Sequence, residues 1–161
     1  MNYFYLDASA WVKRYHTESG SDLLNMLFQK TTGFQRIITS LWSLGETFAA
    51  LNRTKNRFSI TDEDFNKIVF AFITDCENIH LLPLSDNQLF KSLSHVRNYN
   101  LNSADAFHLS VILELKGNLS SLDHSIILFS ADDRLLKASK NESVHVFNPE
   151  KNTASHLHRL I

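Results

Sequence analysis

A three-layer α/β domain, with a mainly parallel five-stranded sheet flanked by helices, is the fold this chain predicts on three observations. Five short apolar runs alternate with longer segments of helical periodicity. Strands that alternate with helices join through right-handed crossovers, which makes them parallel and covers both faces of the sheet. Only 4 glycines and 2 prolines occur in 161 residues, so the connections are short. No repeat, low-complexity stretch or linker interrupts the chain, and residues 1–161 read as one domain. At that length folding buries roughly 70% of the unfolded chain's surface, enough for a self-sufficient core.

The first strand is Tyr3–Leu6, with a helical segment Ala8–His16 directly behind it. Gly20–Lys30 sets Leu23, Leu24, Leu27 and Phe28 at the spacing of one helix face. The second strand, Arg36–Thr39, runs into Thr39-Ser40, natural N-cap residues for a helix over Ser40–Lys55. Thr61–Asn78 opens on TDED, where Thr61 and Asp64 fit a capping pattern and the early acids suit the positive end of the helix dipole. A third strand covers His80–Leu84, followed by helices over Asp86–Tyr99 and Ser103–Lys116, the latter capped by Asn102-Ser103 and ended by Gly117. Asn118–His124 is the most loop-like piece. Strand Ser125–Phe129, a short helix Ala131–Ser139 and strand Val144–Phe147 complete the pattern. The tail Lys151–Ile161 carries the weakest signal for order.

Composition excludes several classes. A formal net charge of −1 rules out a strongly basic nucleic-acid binder, but not a nuclease, whose acidic centre offsets basic residues elsewhere. The single Cys76 can make neither an internal disulfide nor a thiolate metal framework. No run approaches the ~20 apolar residues of a membrane span. The opening MNYFYLDAS has no basic leader or cleavage site, so the expected setting is the cytoplasm, away from membranes.

Four carboxylates carry the chemistry. Asp7 and Asp132 stand where apolar strands end; Glu46 lies about two turns into one helix, and Asp105 in the first turn of another. Ligands of an open parallel sheet bind outside the carboxyl ends of its strands, and all four acids can reach that edge. The helix SADAFHLSVILEL is apolar almost all round, so it should be buried against the sheet with Asp105 at its rim. Two unit charges ~4 Å apart repel by roughly 4 kcal/mol at an effective dielectric near 20. Several such pairs would overwhelm a domain stable by only about 5–15 kcal/mol. Either some of the acids are protonated or divalent cations lie between them. Hard oxygen ligands without Cys favour Mg²⁺ or Mn²⁺ over Zn²⁺, and such ions support phosphoryl chemistry.

Four stretches resemble the motifs of the PIN-domain family, and specifically its VapC-type toxin ribonucleases: YLDASAWVKRYHTESGS, TSLWSLGETFAALNR, NSADAFHLSVIL, and LFSADDRLLKAS with the later VFNP. The resemblance spans essentially the whole chain, in order. It implies a PIN-like three-layer fold and an acidic centre of Asp7, Glu46, Asp105 and Asp132. Asp7 and Asp105 would be the most direct Mg²⁺ (or Mn²⁺) ligands, Glu46 and Asp132 completing the shell or acting through water. Ser9 and Ser130 match supporting hydroxyl positions. The implied reaction is hydrolysis of RNA by water without a covalent intermediate. The implied partners are an RNA substrate, a cognate antitoxin whose tail blocks the site, and a second copy in a homodimer. Asp133 is a further shell candidate or a solvent-exposed side chain.

Each acid also has a plainer role. An Asp at a strand end or helix start is commonly a cap, and Glu46 can form an ion pair with Arg53 on an exposed face. His108, one turn after Asp105, reads as a hydrogen-bonded core or crevice histidine that can touch the site. His156 and His158 read as solvated tail residues. Lys13, Arg14, Arg53 and Arg57 are candidates for RNA phosphates or plain surface charge. The 12 phenylalanines sit at core spacing, with Phe65, Val69 and Phe72 candidates to cover a dimer or antitoxin surface. An aspartyl-nucleophile phosphatase is disfavoured because DASAW lacks the second Asp and the Thr of a D-x-D-x-T strand end. The remaining alternative is a catalytically silent PIN-like module that binds RNA or protein.

Overall fold

The structure is a computed structural model that describes residues 1–31 and 36–161. Strands β1 (Asn2–Leu6), β2 (Ile37–Ser40), β3 (His80–Leu82), β4 (Ser125–Phe129) and β5 (His145–Phe147) form one sheet in the order β3-β2-β1-β4-β5. Every neighbouring pair is parallel. The helices are α1 (Ala8–Trp11), α2 (Ser21–Thr31), α3 (Leu41–Phe58), α4 (Asp62–Asn78), α5 (Asp86–Tyr99), α6 (Ser103–Ser120), α7 (Asp133–Asn141) and α8 (Ala154–His158). The predicted three-layer α/β architecture is the one observed.

Strand periodicity divides the core in two. Phe4 and Leu6 of β1 join Trp11, Leu24, Leu27 and Phe28 on one face of the sheet. Tyr5, between them, points to the other face with Phe107, Leu109, Ile112 and Leu135. β4 repeats the division, Ile127 and Phe129 against Ile126 and Leu128. Covering both faces explains why these strands read as unbroken apolar runs. The caps also fall where the sequence puts them: Ser40 accepts from Ser43 N, Thr61 from Asp64 N, and Asn102 from Asp105 N. Gly20 turns the chain into α2 at φ 89°, where a Cβ would lie 2.6 Å from the Pro149 carbonyl oxygen, so a larger residue does not fit.

Some boundaries differ. α6 runs through Gly117 to Ser120, because a Cβ-less residue weakens an exposed helix position without breaking it. The chain turns later, at Asp123, whose φ is 57°. β3 is shorter than the expected His80–Leu84, and α1 passes into a tight turn over Val12–Arg14. In the tail, α8 buries Leu157 fully, Asn2 Nδ2 donates to Leu160 O (2.9 Å) and Arg36 Nη1 to Ile161 O (3.1 Å). Among the described residues no helix is long and apolar enough to cross a membrane.

The strand order places the site. The chain leaves β1 for β2 on one side and later returns as β4 on the other, so the winding reverses between β1 and β4. At such a switch point the connections diverge and leave a crevice at the carboxyl ends of the two strands.

Candidate active site

Asp7 follows β1 and caps α1, its Oδ1 accepting from Ala10 N at 2.9 Å. Ser9 Oγ donates to the same Oδ1 at 2.7 Å, and Ser130 Oγ to Oδ2 at 2.7 Å. The two hydroxyls also accept from the β4 loop, Ser9 Oγ from Ala131 N (2.8 Å) and Ser130 Oγ from Asp132 N (2.9 Å). The carboxyl ends of β1 and β4 are thereby laced together around one buried carboxylate. Asp132 caps α7, its Oδ1 accepting from Arg134 N at 2.8 Å and Leu135 N at 3.0 Å. Asp105, in the first turn of α6, accepts at Oδ2 from Asn102 Nδ2 at 2.8 Å.

Glu46 reaches the same place from α3. Its Oε2 lies 2.9 Å from His108 Nε2, and His108 Nδ1 lies 2.8 Å from the Tyr5 hydroxyl, so a buried chain runs from the centre of the sheet to the fourth acid. All four carboxylates, with Ser9, His108 and Arg53, line one crevice of about 350 Å³. Ser130 supports it from below through Asp7.

The sequence from residue 4 to residue 141 matches the family model of the PIN domain. The chain belongs to the PIN domain family. Among solved structures, this PIN domain is similar to PAE2754 from Pyrobaculum aerophilum, with 16% identity and a TM-score of 0.66 over 98% of this chain and 94% of that one. It is similar to VapC20 of Mycobacterium tuberculosis, described as a sarcin-ricin loop cleaving toxin: 15% identity, TM-score 0.59, 84% of this chain and 94% of that one. A third match is VapBC-1 from nontypeable Haemophilus influenzae, at 12% identity and TM-score 0.58, covering 94% of this chain and 100% of that one. These likenesses establish the fold. No curated protein matches the sequence significantly.

The carboxylates of the PIN domain do not share one environment. Burial pushes Asp7 above its ordinary value of 3.8, against the pull of His108, Ser130, Ser9 and the Ala10 N–H. Burial also raises Asp105, with the charges of Asp132 and Asp7 adding to it, to about 6; His108 and Arg134 act in the opposite sense. A carboxyl held up by neighbouring acids marks a place where a cation would be welcome. The donor set suits a hard divalent ion, since every candidate ligand is a carboxylate oxygen. Asp105 Oδ1, Asp132 Oδ2 and Glu46 Oε1 carry no hydrogen bond from within the described residues. Even so, no group of three His, Cys, Asp or Glu side chains among the described residues stands ready to hold an ion.

Several other readings change. Glu46 pairs with His108 and not with Arg53. Lys13 is buried between Glu150 (2.6 Å) and Glu18 (3.3 Å), and Arg14 is held by Asp75 (3.0 Å) and Asn25 (2.6 Å), so both are structural cations. Asp133 is exposed and pairs with Lys151 at 2.7 Å, facing a neighbouring concavity. Phe65 and Phe72 are core residues; the outer side of α4 shows Phe70 and Ile73 instead. His156 is half-buried against Phe147, its ring 5.4 Å away. Two site neighbours were missed. Arg134, whose Nη2 lies 4.0 Å from Asp105 Oδ2, had a signal in its place two residues after Asp132. Tyr5 had none, because an apolar strand does not say which of its rings meets a histidine.

Proposed function

We propose that this PIN domain is a Mg²⁺- or Mn²⁺-dependent endoribonuclease, the toxin of a toxin–antitoxin pair. The single observation that carries the reading is the convergence of Asp7, Glu46, Asp105 and Asp132 on one crevice at the β1/β4 switch point. The likeness to VapC20, a sarcin-ricin loop cleaving toxin, and to VapBC-1 supports the toxin and antitoxin parts. Asp7 and Asp105 would hold the cation most directly, with Glu46 and Asp132 joining through water. When bound, a divalent ion lowers the pKa of a water and stabilises charge on phosphate oxygens.

The chain's own residues do the positioning. Ser9 and Ser130 fix the Asp7 carboxylate, which leaves it little freedom to turn away. The Tyr5–His108 pair holds Glu46 over the crevice. Arg53 lines the crevice and Arg134 stands at its rim, where each can meet a substrate phosphate. The antitoxin, an RNA substrate, a homodimer and a cytoplasmic setting belong to the same reading.

Purified protein is expected to cleave RNA with Mg²⁺ or Mn²⁺, to stop in EDTA, and to lose cleavage in Asp7→Ala and Asp105→Asn. Full activity in both variants would sink the assignment. The caps formed by Asp7 and Asp132 favour the silent module as second reading, since caps alone give these acids a structural purpose. Thermal unfolding separates the two: an ion that binds only the folded state must raise Tm by mass action. No shift at millimolar Mg²⁺ or Mn²⁺ would favour the silent module.

A further inference from the structure

α7 turns one charged face toward the outer edge of the sheet. Asp133, Leu136, Lys137 and Lys140 follow at steps of three, one and three residues, which puts them on one side of the helix. β5 stands at the end of the sheet order, with no strand beyond it among the described residues. Between that helix face, β5 and residues 148–152 lies an open cavity of about 630 Å³, the size of an ordinary small-ligand site.

Its charged lining is three lysines and one acid, Lys137, Lys140 and Lys151 against Asp133. Lys151 Nζ meets both oxygens of Asp133 at 2.7 Å, which neutralises that carboxylate within the protein. Lys137 and Lys140 are exposed and have no ion-pair or hydrogen-bond partner among the described residues. Like charges three residues apart on a helix repel, and an anion between them relieves the repulsion.

The wall supplies a neutral donor as well. Asn148 is 5% exposed and its amide is fixed at one end, Oδ1 accepting from Glu150 N at 2.8 Å. Its backbone N–H donates to Asn152 Oδ1 at 2.7 Å. Nδ2 is left buried without a partner among the described residues. Buried donors are almost always satisfied, so an unsatisfied one in a cavity wall calls for an acceptor from outside the chain. The unpaired groups are thus two ammonium ions and an amide N–H₂, all of them donors, and such a set selects an anion. A carboxylate is met best by the planar fork of arginine, but none lines this cavity; lysines act as point charges suited to phosphate.

The geometry points to a phosphate-binding site between α7 and β5, built from Lys137, Lys140 and the Asn148 amide, with Lys151 held beside them by Asp133. It adjoins the acidic crevice, since Asp132 lines that crevice and Asp133 lines this cavity. Consecutive Cα atoms are ~3.8 Å apart, so an RNA strand held at the acids is placed to bring a neighbouring phosphate to the lysines. The phosphate belongs either to a free ion or nucleotide or to that strand. The site itself rests on these side chains alone; only its use by a strand rests on the nuclease reading above.

Two titrations in EDTA test it, so neither depends on cleavage. In the first, inorganic phosphate is added to the ¹⁵N-labelled chain. The Asn148 side-chain amide and the backbone N–H groups of Lys137 and Lys140 are expected to shift at millimolar phosphate. The double variant Lys137→Gln/Lys140→Gln, both positions exposed, should weaken that binding at least ~10-fold. In the second, a short fluorescent single-stranded RNA is bound at several salt concentrations. If the strand supplies the phosphate, each substitution should lower the slope of log K against log salt by about 1. Phosphate shifts lost in the variant with an unchanged RNA slope keep the site and assign it to a free phosphate or nucleotide. Absence of the Asn148 shift, equal shifts with acetate, or shifts that survive in the double variant would each overturn the site, and none of these touches the metal test of the nuclease reading. A glutamate-rich peptide that binds there more tightly than phosphate would overturn the phosphate assignment in favour of an acidic protein segment.

Discussion

Two regions of this molecule bury polar side chains, and they do so in opposite ways. At the carboxyl edge of β1 and β4, the Asp7 carboxylate receives N–H and O–H donors from Ala10, Ser9 and Ser130, and the same serines accept from the next loop. Across the α5/α6 seam, Gln88, His95, Ser110 and Glu114 each keep a buried atom with no partner. A buried polar group costs about 1–3 kcal/mol when left unsatisfied, so the first region holds its shape at low cost and the second does not. The difference teaches where each region points. The first sets its polar atoms around an open crevice; the second hides polar atoms and leaves its apolar face exposed.

The largest effect should come from removing charge at the satisfied edge. Asp105→Asn is expected to lower RNA cleavage at least ~100-fold, the scale on which groups around a metal matter. The same change should raise metal-free stability, because it deletes one of three mutually repelling acids. Loss of activity together with a lower Tm would mean that Asp105 is mainly structural.

His108→Gln should cut turnover by roughly 10–100-fold while leaving KM for RNA near its wild-type value, since the imidazole positions Glu46 and does not meet the substrate itself. Tyr5→Phe should do the same more weakly, having lost only the outer hydrogen bond of the chain. A KM effect that dominates in both would place His108 in substrate binding.

The pH dependence of stability sharpens the contrast. Asp105 titrates near 6 in the folded chain against an ordinary 3.8, so the native state holds this proton more tightly than the unfolded state does. Raising the pH through that window therefore costs metal-free stability, on the order of 2–3 kcal/mol. Asp62 and Asp64 lie below their ordinary values beside Lys55 and Lys67, and their contribution is lost as pH falls below about 4, outside the window. Urea midpoints between pH 4 and 7 should slope downward in the wild type and less steeply in Asp105→Asn, where the raised Asp7 still contributes in the same direction. Equal slopes in the two would remove Asp105 as the cause.

The smallest effect belongs to the unsatisfied seam. Ser110→Ala removes a buried hydroxyl that has no partner, so it should be neutral or stabilising by up to about 1 kcal/mol. Destabilisation by more than that would reveal a water-mediated partner for Ser110 in solution.

Much of the fold was legible because its signals are local. Ser40, Thr61 and Asn102 announce helix starts through side chains that satisfy their own backbone, and they do so here. The four acids were legible because strand ends and the early turns of helices are chain positions, which the sheet then gathers at one edge. The facing of helices was harder. On α4, Phe65, Val69 and Phe72 looked available to a partner, yet Phe65 and Phe72 are core while Phe70 is exposed. One turn of a helix carries apolar residues on both sides here, and periodicity alone does not rank them. Gly117 misled for a related reason: a glycine costs a helix only about 1 kcal/mol, which neighbouring turns of α6 outweigh.

The sequence by itself determined the element order, the parallel sheet, most caps and the four carboxylates, because propensity, capping and period act over a few residues. The tertiary structure alone decided which groups meet. It set His108 between Tyr5 and Glu46, brought Arg134 to Asp105, withdrew Lys13 and Arg14 into ion pairs, and turned the polar side of α5 inward. Those outcomes depend on contacts between segments far apart in the chain, whose energies no local pattern contains.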